Sequence, residues 1–236
     1  MAVAHVADSD VVCTGGSPSS TTVTLTVAGG HSNNCLIATT SWFGTVTVTS
    51  MVWDAAGANQ AFTSMGTKVD NGSFHAQSFY LVNPTAGASK LVTVTFSSTS
   101  PAIGLVAAHF DGVDQATPIR AGTYNSSSSA IRPIDLVITS QANDMTVSGL
   151  VTDGFQNNPT TNKTLIGALF NGGVGLAVGA DYANGAATVT HSWDEVGTVG
   201  SLGVVGGSLA ASAGGGGTPI NVNTLSIDSL AGGELL

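Results

Sequence analysis

The chain has 236 residues, of which 8% are charged, with 14 acidic against 5 basic side chains and a formal net charge of −9. An average globular protein carries about 25% charged residues, and the scarcity of Glu, Lys, Arg and Gln removes the material of exposed helices. Acid without a basic patch excludes duplex nucleic acid held through its phosphates, while a chain of this length buries about 70% of its surface without needing disulfides or metals.

The first ten residues, Met1-Ala-Val-Ala-His-Val-Ala-Asp-Ser-Asp10, have neither a basic start nor a long apolar run. They read as an N-terminal arm and not as an export signal. No run of 18 apolar residues occurs, so no membrane span is expected. Synthesis in a host cytoplasm is the expectation. Cys13 and Cys35 are the only cysteines. Two readings stand: a disulfide tying the N-terminal segment to the strand at Cys35, or two reduced thiols as a cytoplasmic product usually has.

Strand patterns begin at residue 11. Val23, Leu25 and Val27 alternate with Thr22, Thr24 and Thr26; Val46 and Val48 alternate with Thr45, Thr47 and Thr49; Val92, Val94 and Phe96 alternate with Leu91, Thr93 and Thr95. A period of two marks strands with one face inward, and Thr supplies β-propensity outside without charge. Further strands are predicted at Cys35 to Trp42, Ala61 to Val69, His75 to Val82 and Ala102 to Phe110. Others follow at Ile134 to Thr139, Met145 to Val151, Thr164 to Phe170, Gly175 to Tyr182, Ala187 to Trp193 and Thr198 to Leu209. Turn residues separate them, and Asn71-Gly72 and Asn184-Gly185 read as hairpin tips. Ser126 to Ser129 reads as an exposed loop.

About twelve to fourteen strands at this spacing predict an all-β fold: a two-sheet antiparallel β-sandwich, jelly-roll-like, with extended N- and C-terminal arms. The expected organisation is an arm over 1–10, one sandwich domain over 11–212, and a Gly-rich linker with a C-terminal arm over 213–236. The stretches Val46 to Asp54 and Val189 to Asp194 each end in Trp-Asp, which reads as two similar strand ends and not a repeat. In the tail, Ala213 and Gly214 to Gly217 form a linker by composition. Ile220 and Val222, then Leu225, Ile227 and Leu230, follow as apolar teeth of an assembly arm.

Chemistry is mostly missing. The five histidines have no i, i+2 or i, i+4 partners, so no metal site is expected, and His191 reads as a satisfied core or interface histidine. No nucleophile elbow or phosphate loop occurs. Only two Glu exist, and Asp111 and Asp114 sit in a Gly-Val-Asp-Gln turn, where Asp caps backbone N–H groups; a calcium-like oxygen cage and a catalytic carboxylate pair are the competing readings. Trp42, Trp53 and Trp193 lie at predicted strand ends, where they could plug the core or form an aromatic platform for sugars. No cofactor and no enzymatic activity are expected.

Phe110-Asp-Gly-Val-Asp-Gln-Ala-Thr-Pro118, Tyr80-Leu-Val-Asn-Pro-Thr-Ala-Gly87 and Val52-Trp53 together resemble the turn and core motifs of Thr/Gly-rich β-sandwich modules. Such modules occur in bacteriophage virion proteins and bacterial surface proteins. The resemblance covers about residues 35 to 210 and carries no catalytic residues to transfer. It implies the sandwich fold more than an activity; with the absent export signal, the arm-like ends, the Thr/Ser/Asn/Gly surface and the missing catalytic constellation, the expectation is a virion structural protein of the capsid-decoration (cement) or appendage type, located in the virion. Its partner would be the major coat protein or another virion protein, and it would form a homo-oligomer, with a cyclic trimer as the expected form. A carbohydrate-binding or host-adhesion module of a tail fibre is the competing expectation.

Overall fold

The computed structural model describes residues 1–66, 68–127, 132–153, 158–173, 175–194 and 201–213. All regular secondary structure among them is strand. The first half contains β1 (Ala4–Asp8), β2 (Val12–Gly15), β3 (Ser20–Val27), β4 (Cys35–Phe43), β5 (Val48–Trp53) and β6 (Gln60–Ala61). It continues with β7 (Thr63–Ser64), β8 (Val69–Asn71), β9 (Phe74–Val82), β10 (Gly87–Phe96) and β11 (Ala102–Asp111). The second half contains β12 (Ile119–Ser127), β13 (Ile134–Thr139), β14 (Met145–Asp153), β15 (Thr160–Thr161), β16 (Thr164–Asn171), β17 (Leu176–Asn184), β18 (Thr188–Asp194) and β19 (Leu202–Leu209).

The fold is an all-β antiparallel sandwich, built from four sheets where the sequence leads one to expect two. In the first half, an inner sheet runs β1-β11-β4-β9-β7, with β2 also on β11 and β8 also on β9, and an outer sheet runs β3-β10-β5-β6. In the second half, the inner sheet is β12-β19-β14-β17-β16 and the outer sheet is β13-β18-β15. The two inner sheets pack face to face. The layers are therefore outer, inner, inner, outer, and the span 11–212 holds two sandwiches.

Burial follows from this layering. The outer strands β3 and β13 bury every second residue, with Val23, Leu25 and Val27 or Ile134, Leu136 and Ile138 inward. The inner strands β4, β11 and β19 are buried at nearly every position, because each has a sheet on both faces. Separate apolar clusters fill the three gaps: one around Leu25, Trp53 and Leu105, one around Leu136, Trp193 and Val204, and several between the inner sheets around Phe110, Val151 and Val178.

The two sandwiches are copies of one topology. β11, β4 and β9 correspond to β19, β14 and β17, and β3 and β10 correspond to β13 and β18. Registers agree residue by residue. Cys35 faces Phe110 and Val82, as Met145 faces Leu209 and Asn184. Ile103-Gly104-Leu105-Val106 thus matches Leu202-Gly203-Val204-Val205, Tyr80 matches Tyr182, and Asn33 matches Asn143, both with positive φ (57° and 74°). Contacts between the inner sheets are reciprocal: β11 meets β17 as β19 meets β9, β4 meets β17 as β14 meets β9, and β4 meets β14. That is the pattern of an isologous, two-fold interface, here within one chain. The Trp-Asp echo relates β5 to β18, which hold different places; the partner of β18 is β10.

Other differences from the sequence expectation have local causes. Residues 1–10 do not stand off as an arm: β1 pairs with β11, Val3 is buried, and the Val3 N–H donates to Asn143 O. The pattern predicted over Ala61 to Val69 breaks into β6, β7 and β8, since this segment crosses from the outer to the inner sheet. Asn71-Gly72 is a hairpin tip, with Gly72 at φ 66°. Asn184-Gly185 is not: it joins β17 to β18 in different sheets, neither residue has positive φ, and the Gly185 N–H donates to Asp144 O. The arm residues Ile220, Val222, Leu225, Ile227 and Leu230 lie outside the described residues.

Candidate functional site

The three tryptophans form no platform. Trp42, Trp53 and Trp193 are among the most deeply buried side chains, at 1%, 0% and 0% exposure. Each indole N–H is satisfied inside: Trp42 donates to Val46 O, Trp53 to Thr85 O and Trp193 to Ser148 Oγ. Trp42 stacks on His75, with ring centroids 5.2 Å apart. A sugar needs an exposed aromatic face, and these rings have none to offer; they are core plugs.

The richest polar cluster lies inside the second sandwich. His191 Nδ1 is 2.7 Å from Asp181 Oδ1, and its Nε2 is 2.9 Å from Thr146 Oγ1. Ser148 Oγ donates to Asp181 Oδ1 at 2.5 Å, and Thr161 Oγ1 donates to Asp181 Oδ2. Hydroxyl, imidazole and carboxylate in that order have the connectivity of a nucleophilic triad. Yet Thr146, Asp181 and His191 are each 0% exposed, and Thr146 Oγ1 donates to Ala183 O. No substrate reaches a hydroxyl sealed between two sheets and already donating its proton to the backbone. At the matching places the first sandwich has Leu36, Ala38 and Phe79 for Thr146, Ser148 and Asp181. The network is a polar version of an apolar core, and its parts satisfy one another. The sequence reading of His191 as a satisfied core histidine describes this position.

A second polar cluster lies at the end of the inner sheet of the second sandwich. Asp144, buried at the start of β14, accepts from Arg120 Nε at 2.7 Å, from the Gln141 and Ala211 N–H groups at 2.9 Å, and from Ser208 Oγ at 3.2 Å. Burial alone would push its carboxyl up; the bonds from Arg120, Ala211 and Gln141 outweigh burial and hold it below the ordinary carboxylate range. The first sandwich repeats the node in neutral form: Asn34 matches Asp144, His109 matches Ser208, and His109 Nε2 is 2.9 Å from Asn34 Oδ1. His109 is fully buried and its Nδ1 has no hydrogen-bond partner. Burial first, then the neighbouring His31, pulls its imidazole down to about 4.

The Gly-Val-Asp-Gln turn closes this node. Asp114 accepts from the Ala116 and Thr117 N–H groups, which hold its carboxyl below the usual range. Gln115 donates to Asn34 O and Val113 O and accepts from the Asn83 N–H. Asp114 is a turn cap, as the sequence suggests. Gln115, which the sequence offers only as a turn residue, is a clamp between the end of β9 and the start of β4.

Cys13 and Cys35 are free thiols. Cys13 faces Gly104 on one side of β11 and Cys35 faces Phe110 on the other. Six residues along a strand is roughly 20 Å, far beyond the 7 Å or so that a disulfide spans. Burial pushes the Cys13 thiol up to about 11 and the Cys35 thiol up to about 12. Among the described residues no group of His, Cys, Asp or Glu could hold a metal ion.

The surface offers shallow clefts. One of about 300 Å³ is lined by Asp54, Ala55, Ala56, Ser89, Lys90 and Leu91 at the edge of the outer sheet of the first sandwich. Lys90 pairs with Asp54 across it at 3.2 Å. The cleft thus presents one ion pair and the Ser89 residue beside an apolar rim of Ala55, Ala56 and Leu91. Among the described residues no helix is long and apolar enough to cross a membrane. No protein-family model, no curated protein and no solved structure matches this chain.

Proposed function

We propose that this protein is a virion structural subunit, of the kind that binds a phage coat lattice and cements it. The observation that carries the reading is the welding of two like sandwiches through their inner sheets. Such a block holds filled apolar layers in all three gaps between its four sheets. In both halves the chain crosses repeatedly between inner and outer sheet, which we read as jelly-roll connectivity.

Surface chemistry supports the same reading. The outward residues of β3 are Thr22, Thr24 and Thr26, exposed and uncharged, so many copies pack side by side with little mutual repulsion beyond the net −9. The C-terminal arm then supplies strand-addition contacts, in which main-chain hydrogen bonds give affinity. The partner in this reading is the coat protein, and the working form is a homo-oligomer, a cyclic trimer by preference. The glycan-binding alternative has lost its best residues with the burial of Trp42, Trp53 and Trp193.

Purified virions test the proposal. Quantitative mass spectrometry is expected to find this chain at a fixed copy ratio to the coat protein. Recombinant protein is expected to sediment with empty coat shells and raise their disruption temperature. Absence from virions together with failure to bind shells overturns the proposal.

A further inference from the structure

β3 is an edge strand, and among the described residues its one ladder partner is β10. In an antiparallel pair the N–H and C=O of a residue point to the same side of its strand, and the side alternates along the chain. The Phe96 N–H donates to Ser19 O at 2.9 Å, so Phe96, Val94 and Val92 turn their backbone groups toward β3. Leu91 O accepts from the Asp54 N–H at 2.9 Å, on the other side. Thr21 and Val23, opposite Val94 and Val92, therefore bond to β10. Thr22 and Thr24, opposite Thr93 and Leu91, aim their N–H and C=O away from it, out of the sheet edge. Beneath that edge the core is filled, since Val23 and Leu25 are 2% and 1% exposed. β3 thus presents an open ladder edge beside the exposed side chains of Thr22, Thr24 and Thr26.

The other edges are blunted by the devices that keep sheets from pairing with strangers. β2, β6, β7, β8 and β15 are two to four residues long. β1, β12 and β16 each carry a register shift against their partners. Arg120 adds a charge on β12, and on β16 the Phe170 N–H donates to Asn158 Oδ1. β13, the match of β3 in the second sandwich, holds the charged Asp135, whose carbonyl accepts from Asn125 Nδ2. β3 runs eight residues, Ser20 to Val27, with no charge and no proline, and from Ser20 to Leu25 it pairs with β10 without a shift. One place in the duplicated topology is protected in the second half and left open in the first.

We propose that this edge is an interface and that its occupant is β3 of a second copy of this chain, the two strands running antiparallel about a two-fold axis at Val23. This rests on the homo-oligomer of the reading above and names its contact. With the axis there, Thr22 stands opposite the partner's Thr24, Ser20 opposite the partner's Thr26, and Val23 opposite the partner's Val23. The outward-aimed backbone groups of Thr22 then meet those of the partner's Thr24, and hydroxyl faces hydroxyl on the exposed side, a favourable cross-strand pair. Charge argues for a second copy. Each chain carries a net −9, and like charges directly opposite one another destabilise a strand pair; over Ser20 to Val27 two copies bring none together. The nearby acids Asp8 and Asp10 belong to the inner-sheet layer, in β1 and just after it. An isologous contact closes at two copies, so a trimer would need a second, different contact. A single strand pair falls among the small interfaces, under about 1,200 Å², so the dimer is expected to be weak in solution and stronger where a lattice holds copies side by side.

Sedimentation of the full chain from about 1 μM to about 1 mM, the range of weak association, tests this. Wild-type protein is expected to pass from monomer to dimer. Thr24→Pro removes an N–H that β10 does not use, and is expected to weaken the dimer at least about tenfold with the circular dichroism of the fold retained. Thr22→Lys with Thr24→Lys leaves the backbone alone and is expected to weaken it as much. Thr22→Lys with Thr24→Glu sets opposite charges across the axis and is expected to restore it. Thr22→Cys and Thr24→Cys chains, mixed, are expected to give a disulfide-linked pair that neither gives alone. A protein monomeric throughout the range, association indifferent to the Pro and double-Lys variants, or a Lys–Glu variant no better than the double-Lys one overturns the proposal. So does shell binding that the double-Lys variant loses in a chain that never dimerises, which would assign the edge to the coat protein. Shell binding by a chain that stays monomeric sinks the contact and leaves the virion reading standing. Dimerisation without shell binding does the reverse.

Discussion

Thr39 and Gly149 face each other across the middle of the interface between the two inner sheets. Each is the fifth of nine residues in its strand, β4 and β14, and a Cβ added to Gly149 would run into Thr39 Cγ2. They sit where the chain's internal two-fold axis crosses the contact. Close approach here depends on the missing side chain, as it does at Gly104, whose added Cβ would lie 2.6 Å from Val178 Cβ.

Gly149→Ala is therefore expected to destabilise the protein by about 1–3 kcal/mol through overpacking. Thr39→Ala in the same chain is expected to recover part of that loss, because it removes the atoms the new methyl meets. Urea unfolding of the two single variants and the double variant measures the coupling. Independent, additive effects would show that the two residues do not share one gap. Gly172→Ala, at an exposed turn with ordinary φ, is the comparison and is expected to stay within about 0.5 kcal/mol.

Acid stability has a named contributor in His109. Its folded imidazole titrates at about 4, against roughly 6.5 in an unfolded chain. Between those values the unfolded chain binds a proton that the folded chain refuses, so stability falls as pH drops from about 6.5 to about 4 and this contribution is flat below. Asp144 adds a later loss. Its folded carboxyl is depressed, so its stabilisation is full above the ordinary carboxylate range and disappears as pH falls through the lowered value. His109→Gln is expected to flatten the stability curve between pH 6.5 and 4 while leaving the later acid loss in place. Denaturation midpoints across that range decide it, and an unchanged slope in the variant would remove His109 from the account.

The Asp181 network is expected to act on stability. Asp181→Ala leaves His191, Ser148 and Thr161 without their shared acceptor and is expected to cost about 3 kcal/mol or more, since each buried polar group left without its partner costs about 1–3 kcal/mol. Thr146→Val removes one hydroxyl from the far side of the imidazole and is expected to cost about 1 kcal/mol. Equal costs in chemical denaturation would mean that the carboxylate does not organise the cluster.

Both thiols are expected to be silent in the folded protein. With Cys13 raised to about 11 and Cys35 to about 12, almost no thiolate exists at neutral pH. A chromogenic disulfide reagent is expected to titrate two thiols at once on denaturation and close to none before. A rapid reaction of either thiol at pH 7 in native buffer would contradict the burial of that cysteine.

The sequence by itself determined the class of the fold, and did so through local physics. Val23, Leu25 and Val27 against Thr22, Thr24 and Thr26 state which residues point inward whatever the neighbouring strand is. Asn71-Gly72 closes a hairpin by its own backbone preference, and Asp114 caps its own turn. Each depends on contacts within a few residues. Only the tertiary structure decided which sheet each strand joins, because a period of two marks a face and not a partner. Four sheets and two sheets therefore give the same pattern in β3, and the bulged, two-piece β1 and β2 give almost none. The duplication stayed hidden for the same reason: what recurs is register and strand order, while Leu36, Ala38 and Phe79 stand where Thr146, Ser148 and Asp181 stand in the other copy. The candidate site followed suit. Tryptophans at strand ends look alike in sequence whether they cap a core or face a ligand, and burial, which long-range packing alone sets, separated the two. The opening scarcity of charge belongs to both accounts: it ruled out helices from composition, and the layering explains it, since inner strands such as β4, β11 and β19, buried on both faces, leave few places for a charge to stand in water.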